Sequence, residues 1–418
     1  MAQTITQKIL ASAVGRDQVS PGEILQVPLD AVIGHDTSVA VFRTLKKWGI
    51  DQVFDPDKIY ITADHFIPSP TADAAIQYKT LQEFMQEYHI RNWFPWGQGG
   101  ICHALFPERG LVRPGMIIVG SDSHTCTYGA LGAFSCGMGA TDAAGAMALG
   151  ETWLKVPESI LLRYSGKLPE RVSGKDLILC ALGLLGVEGA LYRTLEFAGD
   201  TIHSLDMDGR FTMCNMAVEA GAKNGIIAPD EVTEAYVRER STVPYKVFAS
   251  DPDAEYASVH DIDVSSLTPL VAAPYSPGNV VPVSDLHGIR VDQVVIGSCT
   301  NGRIQDLRDA ASLIRGHRFA PGVRVIVIPA SQRIYMQAMK EGLIETFLEA
   351  GALIAPSTCG PCFGGHMGLL APGEVCVSTT NRNFVSRMGH RESQVYLSSP
   401  FTAAASAIAG EITDPRNI

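Results

Sequence analysis

The sequence predicts an α/β protein of mainly parallel sheets, arranged as three α/β/α modules. Residues 291 to 297, Val-Asp-Gln-Val-Val-Ile-Gly, form the apolar run that is typical of a strand buried on both faces. Similar short runs occur at residues 58 to 63, 115 to 121 and 375 to 380. Ligand sites of open α/β sheets form at the carboxyl ends of their strands. The pattern therefore predicts the fold class and the place of a functional site.

Side chains that can move protons or bind anions follow three of these strands. A lone His or Asp after a strand is more often a helix cap or a solvated loop residue. The repetition from strand to strand, together with a cysteine loop after residue 297, indicates one shared site instead. The residues concerned are Asp64, His65, Asp122, Ser123, His124, Asn381, Arg382 and Arg387.

The order of elements gives the module boundaries. Ile5, Ile9, Leu10 and Ala13 have the spacing of a first amphipathic helix. Residues 158 to 176 predict a strand, a turn and a capped helix start, and the proline-rich stretch from 240 to 290 predicts an extended connector. We therefore place the modules at residues 1–157, 158–285 and 286–418.

Composition excludes several classes of protein. The 418 residues are 46% hydrophobic, enough for two or three domains with large cores. A net charge of −11 without a basic run argues against nucleic acid or an anionic membrane as partner. We find no membrane-length apolar stretch and no signal peptide, and nine unclustered cysteines suggest a reducing compartment. We expect a cytoplasmic enzyme.

Three cysteines carry the most specific signal. Cys299 lies in Gly-Ser-Cys-Thr-Asn-Gly-Arg, and Cys359 and Cys362 form Cys-Gly-Pro-Cys. Three thiolates on a cubane cluster would leave one iron free to act as a Lewis acid. The pair alone also fits a thioredoxin-like dithiol or half of a zinc ribbon. The position of the pair near the end of a long chain argues against a thioredoxin-like dithiol. The lack of another cysteine pair argues against a zinc ribbon.

We interpret the remaining cysteines as small packed residues. They are Cys102, Cys126, Cys136, Cys180, Cys214 and Cys376.

The motifs together resemble the aconitase superfamily, specifically the large subunits of its two-subunit members, the isopropylmalate isomerases and homoaconitases. They occur in family order from about residue 5 to about residue 410. The matching stretches are Asp64-His65, Gly100-Ile-Cys-His103, Gly120-Ser-Asp-Ser-His-Thr, Leu195-Glu196-Phe-Ala-Gly, Cys214-Asn215-Met216-Ala, Gly297-Ser-Cys-Thr-Asn-Gly-Arg, Cys359-Gly-Pro-Cys and Asn381-Arg-Asn-Phe-Val-Ser-Arg387.

The resemblance implies a hydro-lyase that dehydrates and rehydrates a hydroxylated di- or tricarboxylic acid. Its cofactor would be a [4Fe-4S] cluster with one open iron, ligated by Cys299, Cys359 and Cys362. His65, backed by Asp64, would protonate the departing hydroxyl, because an adjacent carboxylate raises the pKa of an imidazole.

The resemblance also implies roles for the other site residues. His103, Asp122 and His124 would surround the iron-bound water, with Glu196 pairing His124 from the middle module. Arg382 and Arg387 would hold substrate carboxylates as forked donors. Further substrate-binding positions are His35, Ser123, Asn301 and Asn381.

A partner is implied as well. Single-chain members carry a fourth, swivel domain with a serine base, and we expect this domain on a separate small subunit, in a heterodimer or heterotetramer. We expect isopropylmalate as substrate because its pathway, leucine biosynthesis, is the most widespread. Homocitrate and methylated malates (dimethylmalate or citraconate hydratases) remain alternatives. A cluster-free RNA-binding regulator and a dithiol redox protein are the alternatives from other classes.

Overall fold

The computed structural model describes residues 2–418 of the chain, and its first module is built on a five-stranded parallel sheet. The strands of this module are β1 (Ile24–Pro28), β2 (Ala31–Gly34), β3 (Ile59–Thr62), β4 (Asn92–Phe94), β5 (Ile117–Gly120), β6 (Phe134–Gly137) and β7 (Glu151–Lys155). The sheet has the order β4-β3-β2-β5-β6, while β1 pairs antiparallel with β7. Strands β2, β3 and β5 are buried throughout, and the apolar runs at residues 58 to 63 and 115 to 121 predicted β3 and β5.

Five helices accompany these strands: α1 (Ile5–Ala13), α2 (Val39–Lys47), α3 (Ala72–Glu87), α4 (Cys102–Glu108) and α5 (Ala140–Leu149). The predicted first helix is confirmed. Thr4 and Gln7 form a reciprocal capping box at its start, and it buries Ile5, Ile9 and Leu10. Short 3-10 helices at Asp36–Ser38 and Ser123–Leu131 follow β2 and β5.

The second module contains a four-stranded parallel sheet in the order β10-β9-β8-β11. Its strands are β8 (Ser159–Ser165), β9 (Thr194–Ala198), β10 (Asn224–Ile226) and β11 (Ser258–Asp263). Its helices are α6 (Gly174–Leu185), α7 (Asp200–Ser204), α8 (Met207–Asn215), α9 (Glu231–Arg238) and a 3-10 helix at Met216–Ala220. The predicted strand, turn and capped helix are confirmed, since Ser173 and Asp176 form the capping box of α6.

The third module contains a seven-stranded sheet in the order β13-β12-β18-β17-β14-β15-β16. Its strands are β12 (Leu270–Ala272), β13 (Val280–Pro282), β14 (Gln293–Gly297), β15 (Arg324–Ile328), β16 (Leu353–Ile354), β17 (Val375–Ser378) and β18 (Gln394–Ser398). Its helices are α10 (Ser298–Asn301), α11 (Ile304–Ile314), α12 (Gln332–Lys340), α13 (Leu343–Ala350), α14 (Pro400–Ala409) and 3-10 helices at Val283–Leu286, Gly360–Phe363 and Pro415–Asn417.

One expectation needs correction here. Within residues 240 to 290, which we expected to be an extended connector, Ser258–Asp263 form β11 of the second sheet, and residues 270 to 282 include β12 and β13, so the third sheet begins before residue 286. Strand β12 pairs antiparallel with β18 and is buried, whereas β13 is the edge strand. Proline is tolerated at a sheet edge because no partner needs its missing N–H, which explains why Pro282 did not prevent a strand.

The loops that follow β2, β3 and β5 of the first module meet those that follow β14, β16 and β17 of the third, and α8 and the 3-10 helix after it bring the second module to the same place. Buried apolar residues of the first and second modules belong to one continuous core, which also reaches strands of the third. This packing fixes the strand-end loops relative to each other. Among residues 2–418, no helix is both long and apolar enough to cross a membrane.

Candidate active site

Two histidines and two carboxylates meet at the ends of β2 and β3. His35, Asp36, Asp64 and His65 are buried, and one ligand atom of each lies within 4.8 Å of the others. The Asp36 carboxylate accepts hydrogen bonds from the backbone amides of His65 at 2.9 Å and Phe66 at 2.6 Å. Because these bonds hold the backbone, they fix where the His65 ring can point.

The Asp64–His65 pair is the strongest proton-holding unit of the site. His65 Nδ1 lies 2.6 Å from Asp64 Oδ1, and Asp64 Oδ2 accepts from the Cys102 amide at 2.8 Å. Burial disfavours both charges, but the pairing outweighs it: the pKa of His65 is raised to about 9 and the pKa of Asp64 is lowered. The pairing with Asp64 therefore favours the protonated ring at neutral pH, and it leaves Nε2 of His65 free of Asp64.

Asp122 is the hub of the site. Its Oδ1 accepts from His103 Nε2 at 2.8 Å and from the His124 amide at 2.7 Å. Its Oδ2 lies 3.4 Å from His35 Nε2 and 3.8 Å from His65 Nε2. Burial opposes ionisation, yet His103 and the other histidines hold the pKa of Asp122 well below its usual range. Asp122 is therefore an ionised carboxylate with one oxygen turned toward His65.

The partner of His124 differs from the one we expected. Glu219, and not Glu196, lies 2.8 Å from His124 Nε2, and Arg382 Nε donates to both oxygens of Glu219 at 3.1 Å. Burial opposes its charge, but His124 and Arg382 lower the pKa of Glu219, while the pKa of His124 is raised. An ion-paired chain thus runs from the buried His124 through the buried Glu219 to the partly exposed Arg382.

The expected pairing of Glu196 with His124 is wrong. Glu196 is buried in β9, where its carboxylate accepts from Ser250 Oγ at 2.8 Å and Tyr256 Oη at 3.1 Å, and burial raises its pKa. Its place in the strand turns it toward the segment that holds α1, since Ser250 also accepts from the Ile5 amide. Glu219 instead lies on the 3-10 helix directly after α8. The available sequence signal was its position two residues after the stretch Cys214-Asn215-Met216-Ala, which resembles the family.

The three predicted cluster cysteines come together from two loops of the third module. Cys299, Cys359 and Cys362 are 3%, 7% and 2% exposed. Cys299 Sγ accepts from Asn215 Nδ2 at 3.4 Å and Asn381 Nδ2 at 3.3 Å, while the Cys362 thiol donates to Asn381 Oδ1 at 3.3 Å. One asparagine, Asn381, therefore bridges the two cysteine loops.

The loop that presents Cys299 has an unusual backbone. Gly297 has φ 145° and Ser298 has φ 76°, a left-handed conformation that non-glycine residues rarely adopt. A Cβ on Gly297 would lie 2.4 Å from the Ile328 carbonyl oxygen. Glycine is required there, and the strained turn places Cys299 at the end of a buried strand.

This donor set suits a cluster better than a single zinc ion. Zinc bound by sulfur at about 2.3 Å would bring the thiols within about 3.8 Å of each other. Among the described residues, the group placed to hold a single metal ion is His35, Asp36, Asp64 and His65, and it contains none of the three cysteines. Buried thiols that accept amide N–H bonds are the surroundings that iron–sulfur clusters use.

Two buried cations, neither anticipated from the sequence, support the cysteine loops. Arg303 donates to the carbonyl oxygens of Cys299 at 2.9 Å and His103 at 3.1 Å, so it ties the first module to the third. Lys175 donates to the Thr379 and Thr380 carbonyls at 2.8 and 2.7 Å and to Asn301 Oδ1 at 3.2 Å. Burial lowers the pKa of Lys175 to about 7.

The remaining predicted residues differ in their burial and in their hydrogen-bond partners. Asn301 is buried and its Nδ2 is held by Asp306 at 2.8 Å, so it braces the loop. Ser123 is exposed beside His124. Arg387 is half-buried, and its Nε atom has no partner within the described chain. An arginine N–H without a partner is suited to receive an anion.

Comparison with known proteins shows the family of the chain. The model of the Aconitase family (aconitate hydratase) matches residues 7–288 and 284–410. The chain is 55% identical to the 3-isopropylmalate dehydratase large subunit of Heliobacterium modesticaldum, with 100% of each chain covered. It is 54% identical to the protein of that name from Aquifex aeolicus, covering 100% of this chain and 98% of the relative.

A solved structure has a similar fold. Thermococcus kodakaraensis aconitase X (holo-form) matches with a TM-score of 0.50 at 14% identity, over 91% of this chain and 89% of that one. At this identity the likeness concerns the fold alone.

Proposed function

The chain belongs to the aconitase family, and from this premise we propose that it is the large subunit of a 3-isopropylmalate dehydratase. It isomerises 2-isopropylmalate and 3-isopropylmalate by dehydration and rehydration, a step of leucine biosynthesis. The full-length identity of 54–55% to large subunits of that name supports the substrate. The observation that carries the chemistry is the imidazolium of His65, held by Asp64 at 2.6 Å, in the same buried site as Asp122.

Cys299, Cys359 and Cys362 would hold a [4Fe-4S] cluster. When bound, the cluster supplies a Lewis acid for the substrate hydroxyl through the iron that no cysteine occupies. The fit rests on three buried thiols and on the Asn215 and Asn381 amides that donate to Cys299.

The chain's own residues divide the remaining work. His65 releases a proton from Nε2 to the departing hydroxyl, which leaves as water, and Asp64 keeps that proton available at neutral pH. Asp122 accepts from His103 and holds its second oxygen toward the reaction centre. Arg382 and Arg387 bind the substrate carboxylates, the first while anchored to Glu219.

A separate small subunit completes the enzyme, as the names of the relatives indicate. We assign to it the base that removes the α-proton and the residues that contact the isopropyl group. The assembly is a heterodimer or a heterotetramer, and the mass of the assembled enzyme in solution distinguishes the two. We place the enzyme in the cytoplasm because its nine cysteines are free thiols.

The test is anaerobic reconstitution of the chain, followed by assay with 2-isopropylmalate alone and after addition of the small subunit. We expect little turnover alone and full turnover with the partner. Homocitrate, dimethylmalate and citraconate serve as competing substrates, and preference for any of them would overturn the substrate assignment. Full activity from a preparation shown by mass spectrometry to lack a partner would place the base within this chain.

A further inference from the structure

Tyr128 is a buried tyrosine that none of the roles above uses. It lies on the 3-10 helix Ser123–Leu131 and is 0% exposed. Its hydroxyl oxygen is 3.2 Å from His103 Nδ1 and 3.4 Å from the Cys102 carbonyl oxygen. The other ring nitrogen of His103, Nε2, faces Asp122 Oδ1 at 2.8 Å. The three side chains form a line that ends at the hub of the site.

The direction of the hydrogen bonds along this line follows from Asp122. An ionised carboxylate can only accept, so the hydrogen between Asp122 and His103 must be carried by Nε2. In a neutral imidazole Nδ1 is then a lone pair that needs a donor. The hydroxyl of Tyr128 is the group placed to donate, and its contact to Nδ1 is shorter than its contact to the Cys102 carbonyl.

We propose that Tyr128 is a positioning residue that fixes the tautomer of His103, by donating its hydroxyl hydrogen to Nδ1 so that Nε2 carries the hydrogen given to Asp122. The opposite tautomer would point a lone pair at the carboxylate and push Asp122 Oδ1 away. With Oδ1 held by His103 and the His124 amide, Oδ2 stays turned toward His35 and His65. This inference deepens the proposed function, and its importance for catalysis rests on that function.

The surroundings favour a neutral His103. Burial and the positive charge of His124 lower the pKa of His103, and they outweigh the carboxylates of Asp122 and Asp64. Burial also raises the pKa of Tyr128 well above its usual value, so its hydroxyl keeps the hydrogen. The charged or titratable groups that face His103 are Asp122, His124, Asp64, Tyr128 and Arg303.

The first experiment needs no substrate. The full chain is labelled with 15N-histidine, and the ring nitrogen shifts of His103 are read by NMR, with His103→Gln identifying its signals. We expect a neutral ring with hydrogen on Nε2 at pH 8. A ring with hydrogen on Nδ1, or a doubly protonated ring, would overturn the proposal without any variant of Tyr128.

The second experiment uses Tyr128→Phe, which removes the donor and keeps the ring. Because the lost hydrogen bond stabilises only the neutral form, the pKa of His103 should rise by about 0.7, the size of one net hydrogen bond. Tyr164→Phe is the matched control: Tyr164 is also 0% exposed and donates to the Leu177 carbonyl at 3.1 Å, away from the site. An unchanged His103 pKa in Tyr128→Phe, or an equal rise in both variants, would end the proposal.

Kinetics of the assembled enzyme give the third measurement. Tyr128→Phe should lower kcat roughly tenfold, as losses of a histidine's outer partner do, with little change in KM. The acid limb of the pH profile of Tyr128→Phe should also lie at higher pH than that of the wild type, because His103 is then protonated at higher pH. Tyr164→Phe should show neither effect. If the NMR results hold but isopropylmalate is not a substrate, the proposed function fails and the tautomer assignment stands.

Discussion

Glu219 Oε1 lies 2.8 Å from His124 Nε2 while both oxygens of Glu219 accept from Arg382. One buried carboxylate therefore joins a histidine beside Asp122 to an arginine assigned to substrate binding. Truncating one member of a buried charge pair leaves the other uncompensated. Because Glu219 contacts both His124 and Arg382, its replacement should disturb both side chains at once.

We expect Glu219→Gln to lower kcat/KM by roughly 10²-fold, because it removes the charge that holds both His124 and Arg382. Glu196→Gln is the matched control. It neutralises another buried glutamate of the same module, whose partners are Ser250 and Tyr256, and should leave kcat/KM nearly unchanged. Steady-state kinetics give kcat/KM for both variants. A larger loss of kcat/KM in Glu196→Gln would contradict the assignment of Glu219 as the functional partner of His124.

Asp64→Asn should cut kcat by roughly 10²-fold or more, the usual range for general acid–base catalysis. The carboxylate that keeps His65 protonated is lost, while the amide preserves the shape. Cluster content is measured alongside activity by iron and sulfide analysis. If activity falls only in proportion to lost iron, Asp64 is structural and its catalytic role is wrong.

The alkaline limb of the pH profile should report His65. The acid must carry its proton to act, and the pKa of His65 is raised from 6.5 to about 9. Activity that depends on this proton should persist up to about pH 9 and fall above it. Asp64→Asn should move that limb to lower pH, because the main source of the raised pKa is gone. Profiles of kcat/KM for both proteins check this, and coincident alkaline limbs would exclude His65 as the acid.

Each of Cys299→Ser, Cys359→Ser and Cys362→Ser should lose cluster after anaerobic reconstitution, because the thiolate is the ligand. Cys376→Ser is the control, since Cys376 is also buried but lies within β17. Iron and sulfide per chain are measured for all four. Wild-type cluster content in Cys299→Ser would contradict the three-thiolate site.

Arg387→Lys should raise KM about tenfold or more, since a lysine keeps the charge but loses the fork, and a hydrogen bond to a charged group contributes about 1.5–3 kcal/mol. Arg416→Lys, which alters an arginine paired with Asp414 near the end of the chain, is the control. Substrate-dependent rates give KM for both. An unchanged KM in Arg387→Lys would mean that this arginine only braces the loop.

The sequence by itself determined the features that depend on local pattern, which are the buried strands and the polar residues at their ends. Apolar runs located β3, β5, β14 and β17, because a strand buried on both faces leaves an uninterrupted apolar signature. Polar residues at predicted strand ends pointed to Asp64, His65, Asp122 and the Cys299 loop, since parallel strands deliver such residues to one edge. These features are read from neighbours in the chain.

The tertiary structure alone decided which side chains pair across elements. The partner of His124 is 95 residues away, and both glutamates considered for it are buried acids of the second module. Only the packing of α8 and the following 3-10 helix against the site selects Glu219 and turns Glu196 toward Ser250. The roles of Lys175, Arg303 and Tyr128 were likewise not predicted, although Arg303 ends the matched Cys299 motif. The role of a buried donor depends on the carbonyls and rings packed around it and leaves no periodic pattern in the sequence.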